Sequence, residues 1–309
     1  MAKFDGVFRM PKLKVVITGA GGHVTKALLP AFRDRYELVL LDVSKETKNG
    51  HVDDIIETDL LDPDVEQYRK HFKGADVIVH NARVSNRGEP NFTTGPNHQW
   101  KSGRPTHPVD GYISERKNLD MAFHTYKLAL QENISRVVIA SSNHATDWYE
   151  TKLHCGKMDM VGPETYPKSD NFYGWCKISY EAMGFAFATG RFGTPVESVN
   201  IRIGGPRNLD IATLSENQVS LRRDLGAWIS DRDLQQLYVK SVETKDVRNE
   251  DGIPFQAFYG ISNNTRAFWS IANARALIGY APEDDSEQFY AADIKQYLTE
   301  LGRTYSPRP

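Results

Sequence analysis

Two short stretches carry side chains whose types and spacing suit proton transfer: Ser141-Ser142-Asn143-His144, and Tyr173-Gly174-Trp175-Cys176-Lys177. Together they supply hydroxyls, a phenol and an ammonium. Tyr173 and Lys177 are four residues apart, so on a helix they share one face about one turn apart. A free phenol titrates near about 10, too high for a base at neutral pH. An adjacent ammonium favours the phenolate and brings it toward the working range. Tyr and Lys on one helix face are also common on plain surface helices, so the elements around the pair decide the reading.

The chain has 309 residues, enough for one large α/β domain or a domain with a smaller lobe. Hydrophobic residues make up 40% and charged residues 25%, the balance of a globular protein. The formal net charge of -2 carries no basic imprint of a nucleic-acid partner. Cys155 and Cys176 form neither a disulfide framework nor a CxxC metal spacing. His98 and His107 follow no ligand pattern, and no metal is expected. Neither a signal-peptide run nor an apolar stretch of about 18 residues occurs. The expectation is a cytoplasmic protein that does not engage a membrane.

Leu13 to Thr18 (LKVVIT) is β-branched without polar alternation, as a strand buried on both faces requires. Gly19-Ala20-Gly21-Gly22 follows, then a helical pattern of Val24, Ala27, Leu28, Ala31 and Phe32. Further strands are expected at Glu37 to Leu41, Asp54 to Glu57 and Ala75 to His80, with a helix near Val65 to Phe72. This alternation predicts a Rossmann-type, doubly wound parallel sheet. Residues 84–112 break the rhythm with Asn, Gly, Pro, Thr and Ser; the segment 86–111 reads as an insert. A helix from Ile113 to Gln131, a strand Arg136 to Ala140, a loop over 145–170, a helix Tyr173 to Thr189 and a strand Val196 to Ile203 complete the first part. After Pro206 helical patterns near 223–243, 267–278 and 286–301 surround one strand, Pro254 to Tyr259. The expected division is a dinucleotide-binding domain over 1–205 and, over 206–309, a small C-terminal lobe that covers the substrate and packs closely on the first.

Gly19-x-x-Gly22 lies between a strand and a helix, where a diphosphate would meet free N–H groups and the positive end of the helix dipole. Glycine allows the sharp turn and the close approach. Asp42 ends the next strand, twenty residues after Gly22. A carboxylate there accepts bonds from both ribose hydroxyls and repels a 2′-phosphate, which favours NAD over NADP.

These residues resemble the short-chain dehydrogenases/reductases. Thr18-Gly19-Ala20-Gly21-Gly22-His23-Val24-Thr25 is similar to the family's TGxxGxxG turn, with Thr25 in place of the third glycine. Since that glycine permits close packing of helix on strand, the helix is expected to sit slightly further out. Asp59-Leu60 resembles the pair near the adenine, and Asn81-Ala82-Arg83 resembles the segment passing the cofactor's sugar. The resemblance implies that Ser142 orients the substrate hydroxyl and Tyr173 acts as acid/base. It implies that Lys177 lowers the phenol's pKa and holds the nicotinamide ribose, and that Asn118 completes the proton path.

A finer resemblance points to uronate dehydrogenases and aldose 1-dehydrogenases of the extended branch, the NAD-dependent epimerase/dehydratase family. It rests on Ser141-Ser142-Asn143-His144, Ser85, Arg202-Ile203-Gly204, Arg223-x-x-x-x-Trp228-x-Ser230-x-x-Asp233, Tyr259-Gly260-Ile261-Ser262 and Trp269. It implies an NAD-dependent oxidation of the C1 hydroxyl of a cyclic sugar or sugar acid to a lactone. Ser85, Asn143, His144 and Arg223 would bind the substrate, with Arg223 on a sugar acid's carboxylate. Gly205 and the insert depart from that pattern and bear on the substrate rather than the chemistry. An NDP-sugar epimerase or dehydratase with tightly held NAD is the alternative within the branch. A cofactor-sensing protein without chemistry is the alternative outside it, and the Tyr173/Lys177 pair speaks against it. Such folds often pack two helices against a copy, so a homodimer or larger homo-oligomer is expected through 113–131 and 173–189.

Overall fold

The computed structural model describes residues 12–47, 50–84, 109 and 111–304. Ser85 and most of the insert lie outside the described residues. In chain order the elements are β1 (Lys14–Thr18), α1 (His23–Arg35), β2 (Glu37–Asp42), β3 (Glu46–Thr47), β4 (Gly50–His51) and β5 (Ile55–Glu57). Then come α2 (Glu66–Arg69), β6 (Val77–His80), α3 (Gly111–Gln131), β7 (Arg136–Ser142), α4 (Glu150–His154), α5 (Phe172–Ala188) and β8 (Glu197–Ile203). The last part holds α6 (Ile211–Ser215), α7 (Gln218–Ala227), α8 (Asp231–Glu243), β9 (Phe255–Gly260), α9 (Ala272–Ile278), α10 (Ser286–Phe289) and α11 (Ala291–Thr304).

Seven strands form one sheet in the order β5-β2-β1-β6-β7-β8-β9, and every pairing in it is parallel. Side chains alternate between faces along a strand, and both faces are covered. Val15 and Ile17 join Leu28 and Phe32 of α1 and Leu234 and Leu237 of α8 in one core. Val16 joins Met121 and Tyr126 of α3 and Cys176 and Tyr180 of α5 in the other. The chain winds outward from β1 to β5, then crosses over to β6 and winds the other way. Binding sites in such sheets sit at this switch, beyond the carboxyl ends of the strands.

Three stretches differ from the sequence reading. Residues 145–170 are not all loop: Asn143–Tyr149 form a 3-10 helix that leads into α4. Its signal is polar capping rather than apolar periodicity, with the Ser142 hydroxyl accepting from the His144 N–H at 3.2 Å. The helical pattern over 223–243 is two helices. Trp228 is extended between them and bridges Gly205, and Ser230 caps α8 by accepting from Asp233 N–H at 3.2 Å. The strand after Pro254 is the seventh strand of the main sheet, registered on β8 from Ser198↔Phe255 to Ile203↔Gly260. The chain after Pro206 therefore does two things: α8 and β9 complete the doubly wound layers, while Leu209, Ile211, Leu225, Trp228 and Tyr290 form a separate small core. Among the described residues no helix is long and apolar enough to cross a membrane.

Candidate active site

The glycine turn is built by contact across the switch point. Gly19 has φ +72° and sits so close to the exit of β6 that a Cβ would lie 2.5 Å from the Ala82 nitrogen. Both facts require glycine. The Gly22 N–H closes the turn on the Gly19 carbonyl at 3.1 Å. Thr25, in the place of the third glycine, is fully buried. Its hydroxyl donates to the Gly19 carbonyl at 2.9 Å and accepts from the Asn81 amide at 3.1 Å. The substitution thus pins the turn to the β6 exit with hydrogen bonds. Helix α1 opens at His23 with no side-chain cap and no acidic residue in its first turn, which leaves its dipole available to an anion. Val24 packs against the core, and a ring nitrogen of His23 bonds the Pro206 carbonyl.

Asp42 ends β2 beside this turn. One carboxylate oxygen accepts from Gly21 N–H at 2.8 Å and the other from Val43 N–H at 2.7 Å. Each oxygen has further lone-pair capacity. The Thr58 N–H donates to the Asp42 carbonyl at 2.7 Å, so Asp59 and Leu60 follow directly beside it. Asp59 is exposed and Leu60 buried. A cradle that a Cβ would fill, an uncapped helix start and a carboxylate at the next strand end fit a dinucleotide diphosphate and its ribose.

Asn171 caps α5 by accepting from Gly174 N–H at 2.9 Å. Gly174 lets the helix press on the 3-10 segment, since a Cβ there would stand 2.3 Å from the His144 carbonyl oxygen. This contact brings Tyr173 to the end of β7, beside Ser142, whose hydroxyl opposes the rise in the phenol's pKa. Lys177 lies 5.6 Å from the Tyr173 ring centroid and donates to the Ala140 carbonyl at 2.8 Å. Burial, reinforced by Arg83, lowers the Lys177 ammonium to about 8. Burial also raises the Tyr173 phenol, and the first group that opposes it is the Arg83 guanidinium. Arg83 stands 4.6 Å over the phenol ring. The sequence reading placed this cationic pull on Lys177.

Arg83 is held there by Glu115 at 2.8 Å. Glu115 also accepts from the Asn118 amide at 3.0 Å, and Asn118 accepts from Val84 N–H at 2.7 Å. Sequence reasoning missed Glu115, because one carboxylate in an amphipathic helix reads as part of a solvated face. Its spacing of three from Asn118, which puts both on one side of α3, is the signal that was there.

On the other side of Tyr173, the His144 ring meets the phenol edge to face at 5.4 Å. His144 Nδ1 lies 2.8 Å from Asp147, which accepts from Asn171 at 2.9 Å. Burial, with Arg223 next, lowers His144 to about 3. The imidazole is therefore neutral, and with Nδ1–H given to Asp147 its Nε2 is an acceptor. The Asn143 amide nitrogen is buried and makes no hydrogen bond among the described residues. Arg223 is buried too, and its Nε donates to both oxygens of Glu150 at 2.9 and 3.1 Å. Sequence reasoning assigned Arg223 a ligand's carboxylate; the structure gives it one from α4. Arg222 beside it is exposed. Ser142, Asn143, His144, Tyr173, Lys177, Asn118 and Arg83 thus converge, the glycine turn joins them through Ala82, and Arg223 joins them through Asp147.

No family model matches the chain. It is 29% identical over 286 residues to the NAD-dependent glucose-6-phosphate dehydrogenase of Haloferax volcanii, covering 89% of this chain and 95% of that protein. It is 28% identical over 288 residues to the uronate dehydrogenase of Pseudomonas putida, covering 91% of this chain and 88% of the other. The crystal structure of uronate dehydrogenase from Agrobacterium tumefaciens superposes with a TM-score of 0.65 at 21% identity, over 97% of this chain and 92% of that one. The chain is thus similar along most of its length to these dehydrogenases and shares the fold of the uronate dehydrogenase.

Proposed function

We propose that this protein is an NAD-dependent oxidoreductase that oxidises the C1 hydroxyl of a cyclic sugar or sugar acid to a lactone. The observation that carries the reading is the buried Tyr173 phenol beside Ser142, with Arg83 4.6 Å over its ring and the glycine turn joined to Arg83 through Ala82. The names of the homologues support the substrate class. Gly19, Gly21, Gly22, His23 and Val24 would hold the diphosphate of NAD, Asp42 the adenosine ribose, Asp59 and Leu60 the adenine side, and Asn81, Ala82 and Arg83 the segment beyond. When bound, NAD supplies the two-electron acceptor for the hydrogen on C1.

The chain's own residues do the rest. Ser142 donates to a lone pair of the substrate oxygen and turns its O–H toward Tyr173. Tyr173 as phenolate removes the hydroxyl proton. Arg83 and Lys177 offset the charge that burial makes costly on the phenolate. Lys177, tied to the Ala140 carbonyl, also reaches the nicotinamide ribose. Asn118 holds Glu115 and the Val84 backbone, and through them the position of Arg83. The Asn143 amide donates to a ring hydroxyl, and neutral His144 accepts from another. Ser85, by its place after β6, is assigned a substrate contact.

Incubation with NAD and a panel of aldoses, uronates and sugar phosphates is expected to yield NADH with at least one of them. A panel that yields none, with nucleotide sugars turned over on retained NAD, would favour an epimerase instead. Two variants test the roles. Asp42→Ser is expected to raise the KM for NAD about tenfold and to improve the use of NADP relative to NAD, because charged hydrogen bonds to the ribose are lost. Unchanged cofactor preference would remove Asp42 from the site. Arg83→Gln removes the cation that favours the phenolate. The rising limb of the rate-against-pH profile is then expected to move up by about one pH unit or more. A limb that stays in place would assign the phenol's charge balance elsewhere.

A further inference from the structure

The far end of the site is a cluster of charge in which the carboxylates outnumber the cations. Around the Arg223 guanidinium stand Glu150 at 2.9 Å, Asp224 at 3.3 Å and Asp147 at 4.0 Å. Asp224 is shared with Arg207 at 3.0 Å. Glu150, Asp147 and Arg223 are 2%, 6% and 6% exposed, so water screens these charges little. The cluster is continuous with the chemistry: Asp147 holds His144, and the His144 ring meets Tyr173. A sugar held by its C1 end at Ser142 and Tyr173 would extend past His144 toward Asp147 and Arg223.

A carboxylate arriving there would meet a guanidinium already neutralised from within. To take Arg223 for itself it would have to displace Glu150, and that would strand a buried charge. An uncharged hydroxyl meets no such conflict. It can donate to Glu150 and accept from Arg223 Nη2, a buried donor that makes no hydrogen bond among the described residues. Resting on the dehydrogenase reading, we propose that Glu150 determines the substrate class: the group turned toward Arg223 is an uncharged hydroxyl or hydroxymethyl, and a ring carboxylate is rejected. Glu150 is thus a specificity-determining residue that acts by repulsion.

The charge on Glu150 gives a second handle. Burial raises its carboxyl pKa above the usual carboxylate range, against the pull of Arg223. The titratable groups facing it are Arg223 from α7 and Asp147 and His144 from the 3-10 segment. Protonation of Glu150 as pH falls removes the repulsion, while a uronate stays ionised down to about pH 4.

The test compares kcat/KM for glucose and glucuronate, and for galactose and galacturonate, pairs that differ only at C6. The wild-type enzyme is expected to favour the neutral sugar of its preferred pair by about tenfold or more. Glu150→Gln keeps the shape without the charge, and is expected to move that ratio toward the uronate by about tenfold or more. Should the variant fail to fold, the wild-type ratio decides alone: the uronate's share is expected to rise as pH falls from about 8 to about 5. Wild-type preference for the uronate, or a ratio that neither Glu150→Gln nor pH moves, overturns the inference and leaves the dehydrogenase standing. No NADH from any sugar overturns both.

Discussion

Tyr173→Phe is expected to reduce kcat by about 10³-fold or more, at the upper part of what a positioned acid/base contributes. The replacement removes one oxygen. The ring keeps its contacts with His144 and Arg83, since both rest on the aromatic face and edge. No neighbour replaces the missing base. Ser142 is a weaker acid than a phenol, Lys177 donates to the Ala140 carbonyl, and neutral His144 has given its Nδ1 side to Asp147. NAD affinity and the unfolding midpoint are expected to change little, because the glycine turn and Asp42 do not touch the phenol oxygen. Stopped-flow or steady-state NADH formation reads the first expectation, and cofactor titration and thermal melting read the second. A variant that retains more than about a tenth of wild-type kcat would move the proton-transfer role off Tyr173.

The largest expected effect on stability lies just behind the site. Glu181 of α5 accepts from Arg202 Nε and Nη2, each at 2.8 Å, and from the Ser141 hydroxyl at 2.8 Å. Arg202 also donates to the Tyr259 hydroxyl at 3.0 Å. The network ties α5 to β7, β8 and β9, and Arg202 is 2% exposed. Glu181→Ala leaves that guanidinium buried without its carboxylate, at a cost of about 3–5 kcal/mol. Chemical denaturation should show the loss as a lower midpoint at unchanged m. Removing both charges together, Glu181→Leu with Arg202→Met, is expected to recover most of it, because the penalty comes from the stranded ion rather than from the lost pair. A double variant as unstable as the single one would show that packing, not charge, holds this region. The pair also gives Arg202 a structural task. In the sequence it stands only as part of an Arg-Ile-Gly motif at a strand end.

Features set by local rules were legible in the sequence. The buried strands follow from apolar runs without alternation, and the glycine turn from its place between β1 and α1. Tyr173 and Lys177 share a face because four residues make about one helical turn. Asp42 follows from the length of one β-α-β unit. The boundaries of the later helices were less clear, since Ser230 and Asn217 cap helices with polar side chains that apolar periodicity does not register. The strand after Pro254 was visible as a strand, but its place as the seventh of one sheet depends on pairing with β8, as Ser198 with Phe255.

What only the tertiary structure decided is which charges meet. Arg223 and Glu150 are 73 residues apart, Arg83 and Glu115 are 32 apart, and Arg202 and Glu181 are 21 apart. A lone Glu in a helix is indistinguishable in sequence from a solvated one, because its partner is chosen by how separate elements pack. By itself the sequence determined the buried strands, the glycine turn and the shared helix face of Tyr173 and Lys177, since each is specified within one or two neighbouring elements. The electrostatic balance around that pair depends on burial and on long-range partners. It therefore had to wait for the fold.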